Sequence, residues 1–342
     1  MRHVEPPTGI ILAGGYGKRL KPITDTTPKP LIEIKSGYCV MDKQLNDLRF
    51  AGVKRVVLLT GHLHELVKER YGSSWKGLEI THSQEERPLG TWGAIRKAIT
   101  ELGLTGPLAI MNGDIITDVD LASMFANGSH PVTILGVQMR SPYGTMEISG
   151  TSIVSFREKP ILPYYINGGV YHVKDAKELL DLSGDIQPPS SIENDVFPKL
   201  AKAGKLGVYI ETDPDVLWKS LDSVKDLEET RSIYQNRTDK PWGYELVVAL
   251  TNSYLQKKLY IKEGYRTSMH YHERKMETLY VVKGKVRVEY QDMPPVQLEE
   301  GQRQTIEPGT VHSIVALRNT LIDEASSPHP EDTIRVKDYY VR

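Results

Sequence analysis

The hydrophobic periodicity of this chain changes once, near residue 240, and that change limits what it can fold into. From residue 8 to about 210, short apolar runs suited to buried strands (53–60, 108–112, 132–138) alternate with helical stretches such as 40–51 and 63–71. Strands separated by helices predict a mostly parallel α/β sheet. The polar stretch 226–240 reads as a helix running into a linker. Beyond Trp242 the pattern is short strands divided by turns, at 254–263, 278–283, 285–290, 302–306 and 312–316, which predicts an antiparallel sandwich or barrel. The expected domains are 1–234 and 235–342.

The first apolar run, Thr8–Ala13, ends in Gly14-Gly15-Tyr16-Gly17-Lys18-Arg19. Glycines let backbone N–H groups turn toward an anion without Cβ obstruction, so Gly14, Gly15 and Gly17 read as a polyphosphate cradle. Arg19, and Lys29 between two prolines, bring fixed positive charge to it. The segment lacks the GK[ST] ending of a Walker loop and the third glycine of a dinucleotide fingerprint.

Composition sets bounds. A chain of 342 residues with formal net charge −1 has no electrostatic footprint for nucleic acid. The single Cys39 excludes an internal disulfide framework, and no apolar run suits a signal segment or a membrane span. The expectation is a cytoplasmic protein with neither nucleic-acid nor membrane partner.

The glycine segment GGYGKRLKPITDTTPKPL resembles the signature of the sugar-1-phosphate nucleotidyltransferases, and the resemblance continues in order to about residue 230. Its later blocks are PLGTWGAI, NGDIITDVDL, YGTMEI, FREKP, INGGVYHV and SIENDVFPKLAKAGKL. It implies a Rossmann-like, mostly parallel sheet and an enzyme that joins an NTP to a sugar 1-phosphate, releasing pyrophosphate. Asp114, at the carboxyl end of a strand where ligands of open α/β sheets collect, is the first candidate Mg²⁺ ligand. Mg²⁺, Arg19 and Lys29 would neutralise charge developing on the α-phosphate and pyrophosphate. The family's second carboxylate sits in W-x-D-I-G-T-P, but this chain reads Trp218-Lys219-Ser220-Leu221-Asp222. That stretch is more similar to glucose-1-phosphate cytidylyltransferases and makes Asp222 the second candidate.

The same resemblance assigns Lys159 of Glu158-Lys159-Pro160 to the sugar phosphate. Asn167, Gly168 and Glu193, with Glu158, become sugar contacts. Residues Ser83 to Gly90 resemble the S-x-E-x-E-P-L-G segment of mannose- and heptose-1-phosphate guanylyltransferases. A carboxylate at Glu85 would accept from guanine N1–H and N2–H₂, with Gly90 beside the nucleotide. That segment favours GTP and the Trp218–Asp226 stretch favours CTP, so both readings stand.

In the second domain, Gly264-x₅-His270-x-His272-x₄-Glu277-x₆-Gly284 reproduces the first motif of the cupins. Gly301-x₇-Gly309-x₂-His312 resembles the second, with Glu307 and Ala316 replacing its proline and asparagine. An all-β jelly-roll barrel is implied. His270 and His272 alternate on a strand, and Glu277 and His312 can close a three-nitrogen, one-oxygen site for Zn, Mn, Fe or Ni. KPWGYELV and the ending from Glu324 resemble the C-terminal domain of type II phosphomannose isomerase–guanylyltransferases, with His270 where that family has glutamine. Lys258, Arg335 and Arg342 are candidate phosphate contacts there. The domain is either a sugar-phosphate isomerase or a noncatalytic binding module, and a homo-oligomer assembled through it is expected.

Overall fold

The computed structural model describes residues 5–340, so Arg342 lies outside the described residues. The chain divides into two compact units after Glu228, inside the helix Val224–Tyr234.

The first unit is built on eight strands: β1 (Thr8–Ala13), β2 (Arg55–Thr60), β3 (Ser74–Trp75), β4 (Leu78–Gln84), β5 (Leu108–Asn112), β6 (Val132–Arg140), β7 (Ile161–Val173) and β8 (Leu206–Ile210). Their order is β8-β6-β7-β5-β1-β2-β4-β3. The sheet is mostly parallel; β7 runs against β5 and β6, and β3 against β4. Both faces are covered, which is why the central strands read as unbroken apolar runs. Alternation along β1 sends Ile11 and Ala13 into one core, with Leu45, Leu48 and Val67. Ile10 enters the other, with Trp92, Ile95 and Tyr171. Helices α1 (Val40–Phe50), α2 (His64–Tyr71) and α3 (Gly90–Glu101) follow β-segments, as the alternation predicts.

The second unit holds β9 (Arg237–Lys240), β10 (Gly243–Leu250), β11 (Leu255–Ile261), β12 (Met269–Tyr271), β13 (Glu277–Lys283), β14 (Lys285–Tyr290), β15 (Val296–Glu299), β16 (Arg303–Ile306), β17 (His312–Ala316), β18 (Thr320–Ser326) and β19 (Ile334–Lys337). They form two antiparallel sheets, β9-β10-β11-β18-β13-β16 and β15-β14-β17-β12-β19. Leu259, Leu279, Val281 and Ile322 of the first sheet share one core with Val286, Val288 and Ile314 of the second. This is the all-β architecture expected from the short-strand pattern.

One expectation is corrected. Residues 226–240 do not end in a linker: Arg237–Lys240 is an edge strand paired with β10. Its polar composition misled because Arg237 is buried at 4 % exposure, with its guanidinium 3.9 Å from the Tyr244 ring centroid and 2.8 Å from Asp239. A planar cation stacked on an aromatic and paired with a carboxylate tolerates burial that its charge alone would forbid.

Candidate active site and metal centre

The carboxyl ends of β1, β2, β4 and β5 open into one cavity of about 570 Å³, lined by Gly14, Gly15, Gly17, Lys29, Thr60, Gly61, Glu85, Gly90, Thr91 and Asp114 among others. Each glycine has its own reason. Gly15 is open, with nothing within 4 Å of an added Cβ, which leaves its backbone accessible to a ligand. Gly17 has φ +58 and would place a Cβ 2.7 Å from Thr24, whose hydroxyl donates to the Gly17 carbonyl at 2.9 Å. Gly14 and Gly61 leave room for Glu85, whose Oε1 lies 2.6 and 2.9 Å from their would-be Cβ positions. The other Glu85 oxygen accepts from the Leu89 N–H at 2.9 Å, so the carboxylate is held against the cavity wall.

Gly90 lines the cavity, but its lack of a side chain is required by packing. It has φ +75, and a Cβ would fall 2.2 Å from the Ser190 carbonyl oxygen, which Trp92 N–H already uses at 2.9 Å. Gly90→Ala is expected to cost about 1–3 kcal/mol through a strained φ and this clash. The readout is a lowered thermal midpoint; an unchanged melting curve would show that the 188–190 backbone gives way freely.

The acidic pair is assembled by a small ladder. Ile115–Thr117 pairs antiparallel with Trp218–Ser220, Ser220 opposite Ile115, and Leu221 N–H donates to the Asp114 carbonyl at 3.0 Å. Asp114 and Asp222 therefore emerge at the same end despite their separation in sequence. Lys29 Nζ sits between them, 2.8 Å from Asp114 Oδ2 and 3.4 Å from Asp222 Oδ1, and Arg19 reaches Asp222 at 3.6 Å. Burial raises the Asp222 carboxyl, but the Ser220 hydroxyl, Lys29 and Arg19 outweigh it and the net displacement is downward. The stability this contributes is present above the ordinary carboxylate pKa and is lost as pH falls through the depressed value. Two carboxylates converging on one cation, with hard oxygen donors, suit Mg²⁺.

The proposed sugar contacts divide. Asn167 Nδ2 donates to the Tyr171 hydroxyl at 3.0 Å, and Tyr171 donates to Glu193 Oε1 at 3.3 Å. Thr91 and Ser191 hydroxyls both reach Glu193 Oε2 at 2.7 Å. Asn167 and Glu193 thus belong to one network that touches the cavity through Thr91. Gly168 packs against Leu135, and its carbonyl accepts from Trp218 Nε1 at 2.8 Å. Glu158 and Lys159 are exposed between the strand Ser152–Arg157 and β7, with Lys159 at φ +45, and neither lines the cavity.

In the second unit, His270 of β12, His272 just beyond it, Glu277 of β13 and His312 of β17 place one donor atom each within 4.8 Å of one another. The ligands come from both sheets. Each Nδ1 lies against a backbone carbonyl: His270 on Ser268 at 2.8 Å, His312 on Thr310 at 2.9 Å, and His272 on Asp332. A carbonyl only accepts, so each Nδ1 carries a proton, and Nε2 is the nitrogen left to serve as a metal ligand when the ring is neutral. The Nε2 atoms of His272 and His312 face Glu277 oxygens at 3.4 and 2.9 Å, and neither nitrogen has a hydrogen-bond partner. Burial, then His312, pushes His270 down to about 3, so it stays neutral. Burial disfavours the charged form of Glu277, while the Lys275 ammonium against its Oε2 favours it, and the net displacement is downward. Three imidazole nitrogens and a carboxylate oxygen gathered this closely form a donor set that suits a divalent transition metal.

A family model described as nucleotidyl transferase matches residues 8–237. The chain belongs to the nucleotidyl transferase family. A cupin domain model matches residues 259–320. A mannose-1-phosphate guanyltransferase of Yarrowia lipolytica is 33% identical over 246 residues, 68% of this chain and 65% of that protein. A D-glycero-alpha-D-manno-heptose 1-phosphate guanylyltransferase of Aneurinibacillus thermoaerophilus is 33% identical over 177 residues, 47% of this chain and 72% of that protein. The chain thus spans less than two thirds of the length of the first relative. Among solved structures, HddC from Yersinia pseudotuberculosis superposes with a TM-score of 0.52 at 24% identity, covering 67% of this chain and all of that one, a likeness of fold.

Sequence reasoning missed two residues of the nucleotidyl transferase unit. Tyr171 lay inside the INGGVYHV block without a role of its own, and the irregular register of β7 between Asn167 and Tyr171 accompanies the contact of its hydroxyl with Asn167. Thr91 was hidden inside the PLGTWGAI block; a hydroxyl at the start of α3, whose first residues line the cavity, was the available signal. No helix among the described residues is long and apolar enough to cross a membrane.

Proposed function

We propose that the first unit transfers a guanylyl group from GTP to a mannose- or heptose-type sugar 1-phosphate, releasing pyrophosphate. The observation that supports the reaction is the convergence of Asp114 and Asp222 on Lys29, with Lys29, Asp114 and the open Gly15 lining one cavity. An oxygen of the sugar phosphate attacks the α-phosphorus, the bond to the β-phosphate breaks, and the electrons leave with pyrophosphate. Lys29 and Arg19 stabilise the charge gathering on the nonbridging and leaving oxygens. Asp114 and Asp222 would hold Mg²⁺, which when bound supplies further charge compensation at the phosphates. Lys159 is assigned to the acceptor phosphate and the Asn167–Tyr171–Glu193 network to the sugar.

Glu85 supports guanine: its carboxylate is fixed in the cavity with acceptor capacity to spare, and guanine offers N1–H and N2–H₂ together. The names of the similar guanylyltransferases point the same way. Glu85→Gln turns one acceptor into a donor facing that edge and is expected to weaken GTP by about 1–3 kcal/mol relative to CTP and UTP. The measurement is pyrophosphate release from a panel of NTPs with mannose-, glucose- and heptose-1-phosphates. Preference of the wild type for CTP would instead establish the cytidylyl reading, which the Trp218–Asp226 stretch favours. In the second unit the three histidines and Glu277 hold a transition metal, and assays of aldose–ketose isomerisation with loaded protein separate catalyst from binding module. Light scattering of the full chain tests the expected homo-oligomer.

A further inference from the structure

The turn joining His272 to Glu277 is gripped by a segment far along the chain. Asp332 uses its carboxylate to accept three consecutive backbone N–H groups: Glu273 at 3.2 Å, Arg274 at 2.7 Å and Lys275 at 2.8 Å. Its own carbonyl accepts from His272 Nδ1. The other end of the segment also clasps the turn, with Ser327 Oγ accepting from Met276 N–H at 3.1 Å and Ser327 N–H donating to the Met276 carbonyl at 3.0 Å. Lys275, whose backbone Asp332 fixes, directs its ammonium inward to Glu277 Oε2 at 2.5 Å and to Glu324 at 2.9 Å. Lys275, Glu277 and Glu324 are all buried.

We infer that Asp332 is a positioning residue for the metal centre, rests on the reading of that centre as a metal site, and sets two ligands at once. Through its carbonyl it fixes the His272 tautomer that leaves Nε2 inward. Through its carboxylate it fixes Lys275, which occupies one Glu277 oxygen and leaves the other, Oε1, directed at His312. Glu277 is thereby a one-oxygen ligand with a defined lone pair. Outer groups that orient ligands in this way typically change metal affinity by about 10–100-fold when removed. Free backbone N–H groups at a turn would otherwise be satisfied by water, so the carboxylate is not required merely to keep the chain folded.

The experiment is titration of metal-stripped full-length protein with Co²⁺, read both as affinity and as the visible ligand-field spectrum. Wild type is expected to bind about one Co²⁺ per chain; absence of binding by wild type overturns the metal reading itself. Asp332→Ala should bind Co²⁺ about 10–100-fold more weakly and with an altered spectrum. Asp332→Asn keeps a side-chain oxygen acceptor and should recover part of the affinity and the wild-type spectrum. Circular dichroism and nucleotidyl transfer serve as controls for folding. If Asp332→Ala is folded and binds Co²⁺ with wild-type affinity and spectrum, Asp332 has no positioning role. If it melts without metal, Ser327→Ala, which removes only the outer clasp, becomes the comparison: weaker Co²⁺ binding supports the segment's role, and unchanged binding and spectrum overturn it.

Discussion

Lys29→Met and Asp114→Ala are each expected to reduce nucleotidyl transfer by on the order of 10²-fold or more, with the fold retained. Removing one preorganised charge aimed at the developing charge of a transition state has effects of this size. Lys29 contributes little elsewhere: its charged contacts are to Asp114 and Asp222, both partly solvated, so its loss frees two carboxylates that water can reach. The effect should fall on turnover more than on thermal midpoint. Steady-state pyrophosphate release and a melting curve measured on the same preparations separate the two. Near wild-type turnover by either variant would remove Lys29 or Asp114 from the reaction.

The legible parts of this molecule are those where one local pattern has one structural solution. Residues 108–112 and 285–290 were readable as strands because an apolar or alternating run bounded by turn residues has nowhere else to go, and both form strands with those bounds. The four-residue donor cluster of the second unit was readable from its motif spacing; His270 and His312 are direct cross-strand partners, and Glu277 joins them from the facing sheet. What could not be read is what depends on long-range register. The meeting of Asp114 with Asp222 was legible only through the family resemblance: it follows from a short ladder between Ile115–Thr117 and Trp218–Ser220, and neither segment by itself carries a signal of its partner. Asp332 illustrates the same limit more sharply: its role lies in an exposed-looking polar tail, and only the fold places it on the His272–Lys275 turn.

A His270→Ala/His312→Ala double variant should lose the bound metal of the second unit while leaving nucleotidyl transfer within a few-fold of wild type. The first half follows from donor count. Two of four donors vanish, and the remaining His272 and Glu277 are left as a weak, two-point site for an ion that prefers four. The second half follows from the separate cores: the side chains of the first unit pack around the eight-stranded sheet, and those around the metal centre pack between the two antiparallel sheets. A domain with its own core can in principle keep its fold when another loses a ligand. Of the two buried nitrogens opposite Glu277, the double variant removes that of His312 and leaves that of His272. Elemental analysis and pyrophosphate release measured together decide it. Loss of both activities at once would show that the metal centre supports the transferase, whereas metal retained by the double variant would mean that the four donors are not the site.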